Sequence, residues 1–276
     1  MSKSYLKYFF DISKSRAIFN LRNLYRRQIR QTLPSGSEQH LSNLHNQGYS
    51  IIENYISAAQ CEGMRAQVDQ ALLDYPAATW SGLLGADKRI FGIENIGGGV
   101  LDFFNDKYLH EIGCNYLDCR IENLLTLAGR IDAVKENLGS GEGWHRDGNH
   151  FQFKVLVYLS DAKPENGPFQ LISGSHRYPQ VVSDNFCMQT EDSLGTRFSD
   201  AQVSRLLAQQ QERLITLAAP AGTAVLVDTS SIHRGSPIQQ GRRYALFNYY
   251  YPYYDMDGRR AKFSPSLEPE MIKHAA

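Results

Sequence analysis

Apolar residues recur at two periods along this chain, and the change from one to the other divides it. Leu21, Leu24 and Tyr25 follow helical spacing in an N-terminal stretch, and residues 41–46 read as a short helix that Gly48 stops. Residues 49–56 are rich in strand formers and predict a strand. Ser57 with Gln60 three residues on is a capping-box pair, and Cys61, Met64, Val68, Ala71 and Leu72 then repeat at helical spacing. From 76 to 118 the pattern is irregular. Ile96-Gly97-Gly98-Gly99 reads as a loop, and its glycines lack the strand-then-helix context of a phosphate cradle. Residues 121–128 read as a helix and 130–135 as a strand, followed by a glycine-rich loop over 139–143.

The second half alternates. Phe151, Phe153, Val155, Val157 and Leu159 oppose Gln152, Lys154, Leu156, Tyr158 and Ser160, which predicts a half-buried strand. A turn over 161–167 leads to a short strand at 169–172, after which Gly174 permits a tight turn. Residues 178–213 interrupt the β-pattern, with Ser199 and Gln202 capping a helix whose Val203, Leu206 and Leu207 form one apolar side. Such an insert is either a lid or recognition segment, or a decoration of the surface. Strands at 214–218, 223–228 and 242–251 follow. Short strands joined by turns, with no alternation of strand and helix, predict a mainly β fold with flanking helices, a sandwich or jelly roll.

Composition changes this picture little. The 276 residues suit one large β-domain, here 41–276, behind an N-terminal extension over 1–40. Pro34-Ser35-Gly36-Ser37 reads as the linker. No apolar run reaches the ~20 residues that span a bilayer, and the start lacks the apolar core of a signal peptide, so an intracellular, cytoplasmic protein is expected. Cys61, Cys114, Cys119 and Cys187 show no metal or disulfide spacing and are expected to be reduced, mostly buried thiols. A formal net charge of zero gives no indication of nucleic-acid binding. The charge is unevenly placed, however. Residues 1–34 hold eight basic side chains against Asp11 alone, a net +7. That arm is also rich in Tyr, Phe, Leu and Ile. It reads either as a basic amphipathic helix making peripheral contact with an anionic membrane, or as a helix packed on the body or on a second subunit.

Candidate chemistry centres on Gly143-Trp144-His145-Arg146-Asp147-Gly148. In an extended segment residues two apart share a side, so His145 and Asp147 can face one ion while Arg146 faces away. His233 is the best third ligand. Two neutral imidazoles and a carboxylate form the facial triad that holds non-haem Fe(II) and leaves positions for O2 and a co-substrate. Each residue alone has a simpler reading: His145 capping a turn, Asp147 as a turn residue before Gly148, His233 as a surface histidine.

The surrounding motifs narrow the choice. Asn166-Gly167-Pro168-Phe169-Gln170, Ser173-Gly174-Ser175-His176 and Gly241-Arg242-Arg243-Tyr244-Ala245-Leu246-Phe247 flank the ligands in order, and the whole resembles the phytanoyl-CoA dioxygenase family over about residues 41–254. The resemblance implies a double-stranded β-helix with the metal at its open end, and Fe(II), 2-oxoglutarate and O2 as cofactor and co-substrates. It implies a hydroxylase that converts 2-oxoglutarate to succinate and CO2. A carboxylate at Asp147, where related halogenases carry a small residue, favours hydroxylation. The basic residue after the distal histidine would bind the far carboxylate of 2-oxoglutarate. Arg243 fits that role, with Arg242 as the competitor, since both faces of this strand are apolar. Ser236 could add a hydroxyl contact, and Lys135, Asn137 and Lys154 are weaker candidates for the pocket wall.

The resemblance does not choose a substrate, which is expected to be a small or lipid-linked molecule. Arg146, Arg177 and Arg234 lie near the site in sequence and could meet an anionic group, although solvated arginines are the simpler reading. Two other functions compete: a cupin-like metalloenzyme without 2-oxoglutarate, and a catalytically silent binding module. The sequence is silent on oligomeric state.

Overall fold

A computed structural model describes residues 5–24, 33–82, 84–256 and 258–273. In chain order the elements are α1 (Tyr5–Leu24), α2 (Glu38–Gln47), β1 (Tyr49–Ile52), α3 (Ala58–Asp74), β2 (Thr79–Ser81), β3 (Asp87–Phe91), α4 (Gly98–Phe104), α5 (Lys107–Leu117), β4 (Ile121–Asp132), β5 (Phe153–Tyr158), β6 (Phe169–Ile172), α6 (Tyr178–Cys187), α7 (Asp200–Leu207), β7 (Leu214–Leu217), β8 (Ala224–Asp228), β9 (His233–Gly235), β10 (Arg242–Pro252) and α8 (Pro269–Lys273).

Two antiparallel sheets face each other. The larger has the order β1-β8-β5-β10-β4-β3-β2, and the smaller the order β7-β6-β9. Non-sequential neighbours joined across two sheets make a jelly roll, the double-stranded β-helix expected from the motifs. Strand alternation then sorts the side chains. Phe153, Val155 and Val157 of β5, with Ala224 and Leu226 of β8 and Leu246 of β10, meet the helices in one core. Leu156, Tyr158, Val225, Val227 and Ala245 point the other way, into the space between the sheets, where Phe169 and Leu171 of β6 meet them. The polar members of this inward set therefore end up inside the barrel mouth.

Local signals held where they were strong. Ser57 and Gln60 form the capping box of α3, Ser199 and Gln202 that of α7, and Gly48 ends α2 in the left-handed conformation. Other expectations fail for identifiable reasons. Residues 121–128 are not helical. They belong to a twelve-residue strand, β4, paired on one side with β3 and on the other with β10, and this pairing overrides the helix formers Leu124, Leu125 and Leu127. β5 is buried on both faces rather than one, because helices cover its outer side. The irregular stretch after residue 76 contains β2, β3, α4 and α5. The strand at 49–56 ends at Ile52.

The N-terminal helix α1 packs on the body. Tyr8 and Ile12 bury against Val181 and Val182 of α6, and the Tyr8 hydroxyl donates to Thr190 O at 2.7 Å. Arg16, one turn further on, is buried and donates from Nε to Asn149 O at 2.8 Å and from Nη2 to His176 O at 2.5 Å. Tyr25, Arg26, Arg27 and Arg30 lie outside the described residues. Cys61, Cys114 and Cys119 are buried free thiols, and Cys187 is an exposed one. Among the described residues no helix is long and apolar enough to cross a membrane.

Candidate metal centre

His145 sits in a short bridge between two other segments. It pairs antiparallel with His233 at the start of β9 and with Arg197 of the 178–213 insert. The pairing extends on both sides: Arg146 N donates to Thr196 O at 2.8 Å, Phe198 N to Trp144 O at 3.0 Å, and Asp147 N to Thr229 O at 2.9 Å. The insert thus supplies one wall of the ligand segment. Because His145 and Asp147 lie two residues apart on extended backbone, both face the cross-strand position of His233. Donor atoms of the three residues all lie within 4.8 Å of one another.

The donor set fits a divalent metal. Each imidazole Nδ1 donates to the carbonyl two residues earlier, His145 to Gly143 O and His233 to Ser231 O, both at 2.9 Å. A proton on Nδ1 leaves the Nε2 lone pair for a metal, the usual outer support of a histidine ligand. Burial, reinforced by the neighbouring His233, pushes the His145 imidazole down to about 3, and burial lowers that of His233 too. Both rings are therefore neutral, the form that binds metal. Burial alone would raise the Asp147 carboxyl, but the Lys154 ammonium beside it outweighs burial and holds the group well below the usual carboxylate range. Lys154 Nζ lies 2.7 Å from Asp147 Oδ2, while Oδ1 faces His145 Nε2 at 3.8 Å. The Lys154 ammonium also sits 3.7 Å from the centroid of the Tyr249 ring, its cross-strand partner. Space around the ligands is tight: a side chain at Gly141, at φ +85°, would meet His145 Cε1 at 2.3 Å.

Arg243 enters the same pocket from β10. It shares the inward face with Ala245 and Phe247 and is only 4% exposed, and it has no hydrogen-bond or ion-pair partner among the described residues. The carboxylate whose charge reaches it, Asp87, is ion-paired to Arg89, so burial of the Arg243 guanidinium stays costly unless a ligand completes it. Arg242 points out of the barrel, where Nε meets Asp132 Oδ1 at 2.5 Å with about half its side chain exposed, so it does not compete for the pocket. Gly235 leaves room beside Arg243, since a side chain there would come within 3.0 Å of its Nη2.

The other candidates divide. Lys154 lines the pocket. Ser236 does not, because its hydroxyl donates to Pro168 O at 2.9 Å. Lys135 is 92% exposed beside Glu136, and Asn137 clamps a loop by donating to Val134 O and Ile238 O and accepting from the amides of Gly139 and Ile238. Neither reaches the ligands. Arg146 does not meet an anionic substrate either. Fully buried, it donates from Nη1 to Ser175 O at 2.6 Å and Ser230 O at 2.5 Å. Arg234 pairs with Asp200 and lies over the Trp144 ring. Arg89, which sequence reasoning passed over, lines the pocket near Arg243, held by Asp87 and stacked on Trp80. Its signal lay in the run Asp87-Lys88-Arg89-Ile90-Phe91, where Arg89 shares a face with Asp87 and Phe91.

A family model of phytanoyl-CoA dioxygenase (PhyH) matches residues 44–243, which includes all three ligand candidates and Arg243. The chain belongs to the PhyH family. No curated protein matches this PhyH-family sequence. Solved structures share its fold at low identity. The epimerase SnoN, in complex with Fe3+, alpha ketoglutarate and nogalamycin RO, superposes with a TM-score of 0.61 at 12% identity over 86% of this chain and 93% of SnoN. HygX from Streptomyces hygroscopicus, with nickel, 2-oxoglutarate and hygromycin B bound, gives 0.56 at 14% identity over 79% and 88%. EctD from S. alaskensis with bound Fe gives 0.59 at 17% over 82% and 79%.

Proposed function

We propose that this chain is an Fe(II)- and 2-oxoglutarate-dependent dioxygenase that hydroxylates an unactivated C–H bond of a small molecule. The observation that carries the reading is the juxtaposition of His145, Asp147 and His233 with the unpartnered, buried Arg243 in one pocket. His145, Asp147 and His233 would hold the iron, and Arg243 the far carboxylate of 2-oxoglutarate through parallel hydrogen bonds. With 2-oxoglutarate and O2, the bound iron supplies the oxidising power, and succinate and CO2 are released.

The residues of the chain bind, orient and exclude water. Lys154 keeps Asp147 ionised and fixes its Oδ2, so that Oδ1 is the oxygen left for the ion. Phe169 stacks on His233 with ring centroids 5.3 Å apart and holds the imidazole plane. Further out, Phe151, Tyr249, Tyr251 and Phe263 line the pocket, and Arg259 closes on Asp255 across the face of Tyr251. Such a wall suits a substrate with an apolar or ring-shaped body, whose polar groups reach the mouth.

The test is an anaerobic titration with Fe(II) and then 2-oxoglutarate, followed by the weak visible metal-to-ligand charge-transfer band. The band is expected in the wild type, absent in His145→Ala, and to require much more co-substrate in Arg243→Ala. Iron binding without the band would replace this reading with a cupin-like enzyme that does not use 2-oxoglutarate. No iron binding at all would leave a silent module.

A further inference from the structure

Among the described residues, helix α1 packs on the body through one stripe. Tyr8, Ile12 and Arg16 recur every four residues and form the stripe that faces the body. At 100° per residue, the opposite stripe is Leu6, Phe10, Ile18 and Leu21, interleaved with Lys7 and Lys14. Those four apolar side chains are 62%, 64%, 47% and 60% exposed. Single exposed apolar residues are ordinary, but four large ones aligned on one face of one helix mark a contact surface.

Charge selects the occupant. Residues 1–34 carry a net +7. The described charges of this face are Lys7 and Lys14, both exposed, so a second copy meeting it about a two-fold axis would set lysines against lysines, which opposes association. An anionic surface is attracted instead, and Lys7 and Lys14 can lay their methylene stems along an apolar layer while their ammonium groups reach phosphate oxygens. No described helix is apolar enough to cross a bilayer, so the helix would lie in the interface plane. We propose that the outward face of α1 docks on an anionic lipid surface, with Leu6, Phe10, Ile18 and Leu21 entering the headgroup boundary.

The experiment is flotation of the full chain with phosphatidylcholine vesicles, with and without phosphatidylglycerol. The wild type is expected to float with the anionic vesicles alone, less so at high salt. The double variants Phe10→Ser/Leu21→Ser and Lys7→Glu/Lys14→Glu are each expected to weaken partition by roughly tenfold or more. Because all four side chains are exposed, thermal unfolding of both variants should match the wild type, which separates lost docking from lost folding. Absence of flotation, equal binding to neutral vesicles, or binding unchanged by either double variant would overturn the proposal. So would a dimer in light scattering that Phe10→Ser/Leu21→Ser abolishes, since the face would then be an interface between copies.

Discussion

His145 and His233 exchange both of their backbone hydrogen bonds, His145 N to His233 O at 2.9 Å and His233 N to His145 O at 2.8 Å. Two candidate ligands far apart in sequence are therefore directly opposed residues on paired backbone, and main-chain geometry sets their spacing. Replacing either imidazole by a methyl group leaves those bonds intact. His233→Ala is accordingly expected to fold but to lose metal. The check is thermal unfolding with and without Ni(II) or Fe(II) at about a hundred times the wild-type Kd. The wild type should gain roughly 5–10 °C, and His233→Ala nothing. A metal-dependent rise retained in His233→Ala would remove this residue from the ligand set.

The same burial predicts acid sensitivity of the metal-free protein. His145 is held down to about 3 in the fold and titrates near 6.5 once unfolded. Between those values the unfolded chain binds the extra proton, so stability is fully present above about pH 6.5 and is lost as pH falls toward 3. At pH 5 this one residue costs about 2 kcal/mol. Burial shifts His233, His176, His150, His45 and His40 the same way, while the thiol of Cys114 raises His110 and opposes them. Urea midpoints measured with chelator present should be level above neutrality and drop steadily below about pH 6.5. A midpoint that is flat or rises on acidification contradicts the buried neutral imidazoles.

Arg242 and Arg243 offer a comparison between neighbours. Arg243→Lys keeps the charge but cannot form two parallel bonds to a carboxylate, so the concentration of 2-oxoglutarate needed for half-saturation should rise about 10- to 100-fold. Arg242→Ala removes a half-exposed pair with Asp132, which is worth at most about 1 kcal/mol, and should leave co-substrate binding unchanged. Equal effects of the two substitutions would mean that the inward face of β10 has been misassigned.

How far the sequence reaches is clear from these two arginines. Strand alternation placed Arg243 with Ala245 and Phe247, but could not exclude Arg242, since the outward face of β10 is apolar too and packs on helices. The two capping boxes and the strands expected at 169–172, 214–218 and 242–251 were legible because short-range geometry dictates them, and so was the shared side of His145 and Asp147; His233 was legible only as a candidate, because the fold and not local geometry brings it beside them. β4 was not, because its strand state depends on two distant partners. Lys154 was legible only as a lysine on a strand. Its link to Asp147 exists because Thr229, just beyond β8, bonds both Asp147 and the residue before β5, which no local pattern records. Arg16 was hidden for the same reason: it reads as one more charge in a basic arm, yet it bonds the backbone just beyond Asp147.

Arg146, between His145 and Asp147, is an interior brace. It links Ser175 O and Ser230 O and lies 3.8 Å from Asp184, which Arg213 holds through both oxygens. Arg146→Met preserves volume but strands two buried carbonyls and weakens the neutralisation of Asp184. A loss of about 3 kcal/mol in urea unfolding is expected, a large share of the stability of an ordinary domain. A loss below about 1 kcal/mol would show that water replaces the guanidinium and that the brace is dispensable.

Lys154→Met tests the other support of the carboxylate. Its Nζ is buried against Tyr249 and holds Asp147 Oδ2 at 2.7 Å, so removing it frees the carboxylate to rotate and raises the cost of its charge. Two effects then oppose each other. The substitution removes a cation close to the metal position, which favours a divalent ion, but it also removes the group that orients Asp147. Orientation should win, because an outer support of a ligand is typically worth 10- to 100-fold in metal affinity, whereas a cation neutralised by its own carboxylate repels an ion weakly. Ni(II) affinity measured by calorimetry on the apo-protein is therefore expected to fall at least tenfold in Lys154→Met, with less loss in Lys154→Arg, which can still donate to Oδ2. Tighter binding in Lys154→Met would reverse the argument and make Lys154 an electrostatic brake on the metal rather than the clamp on its carboxylate ligand.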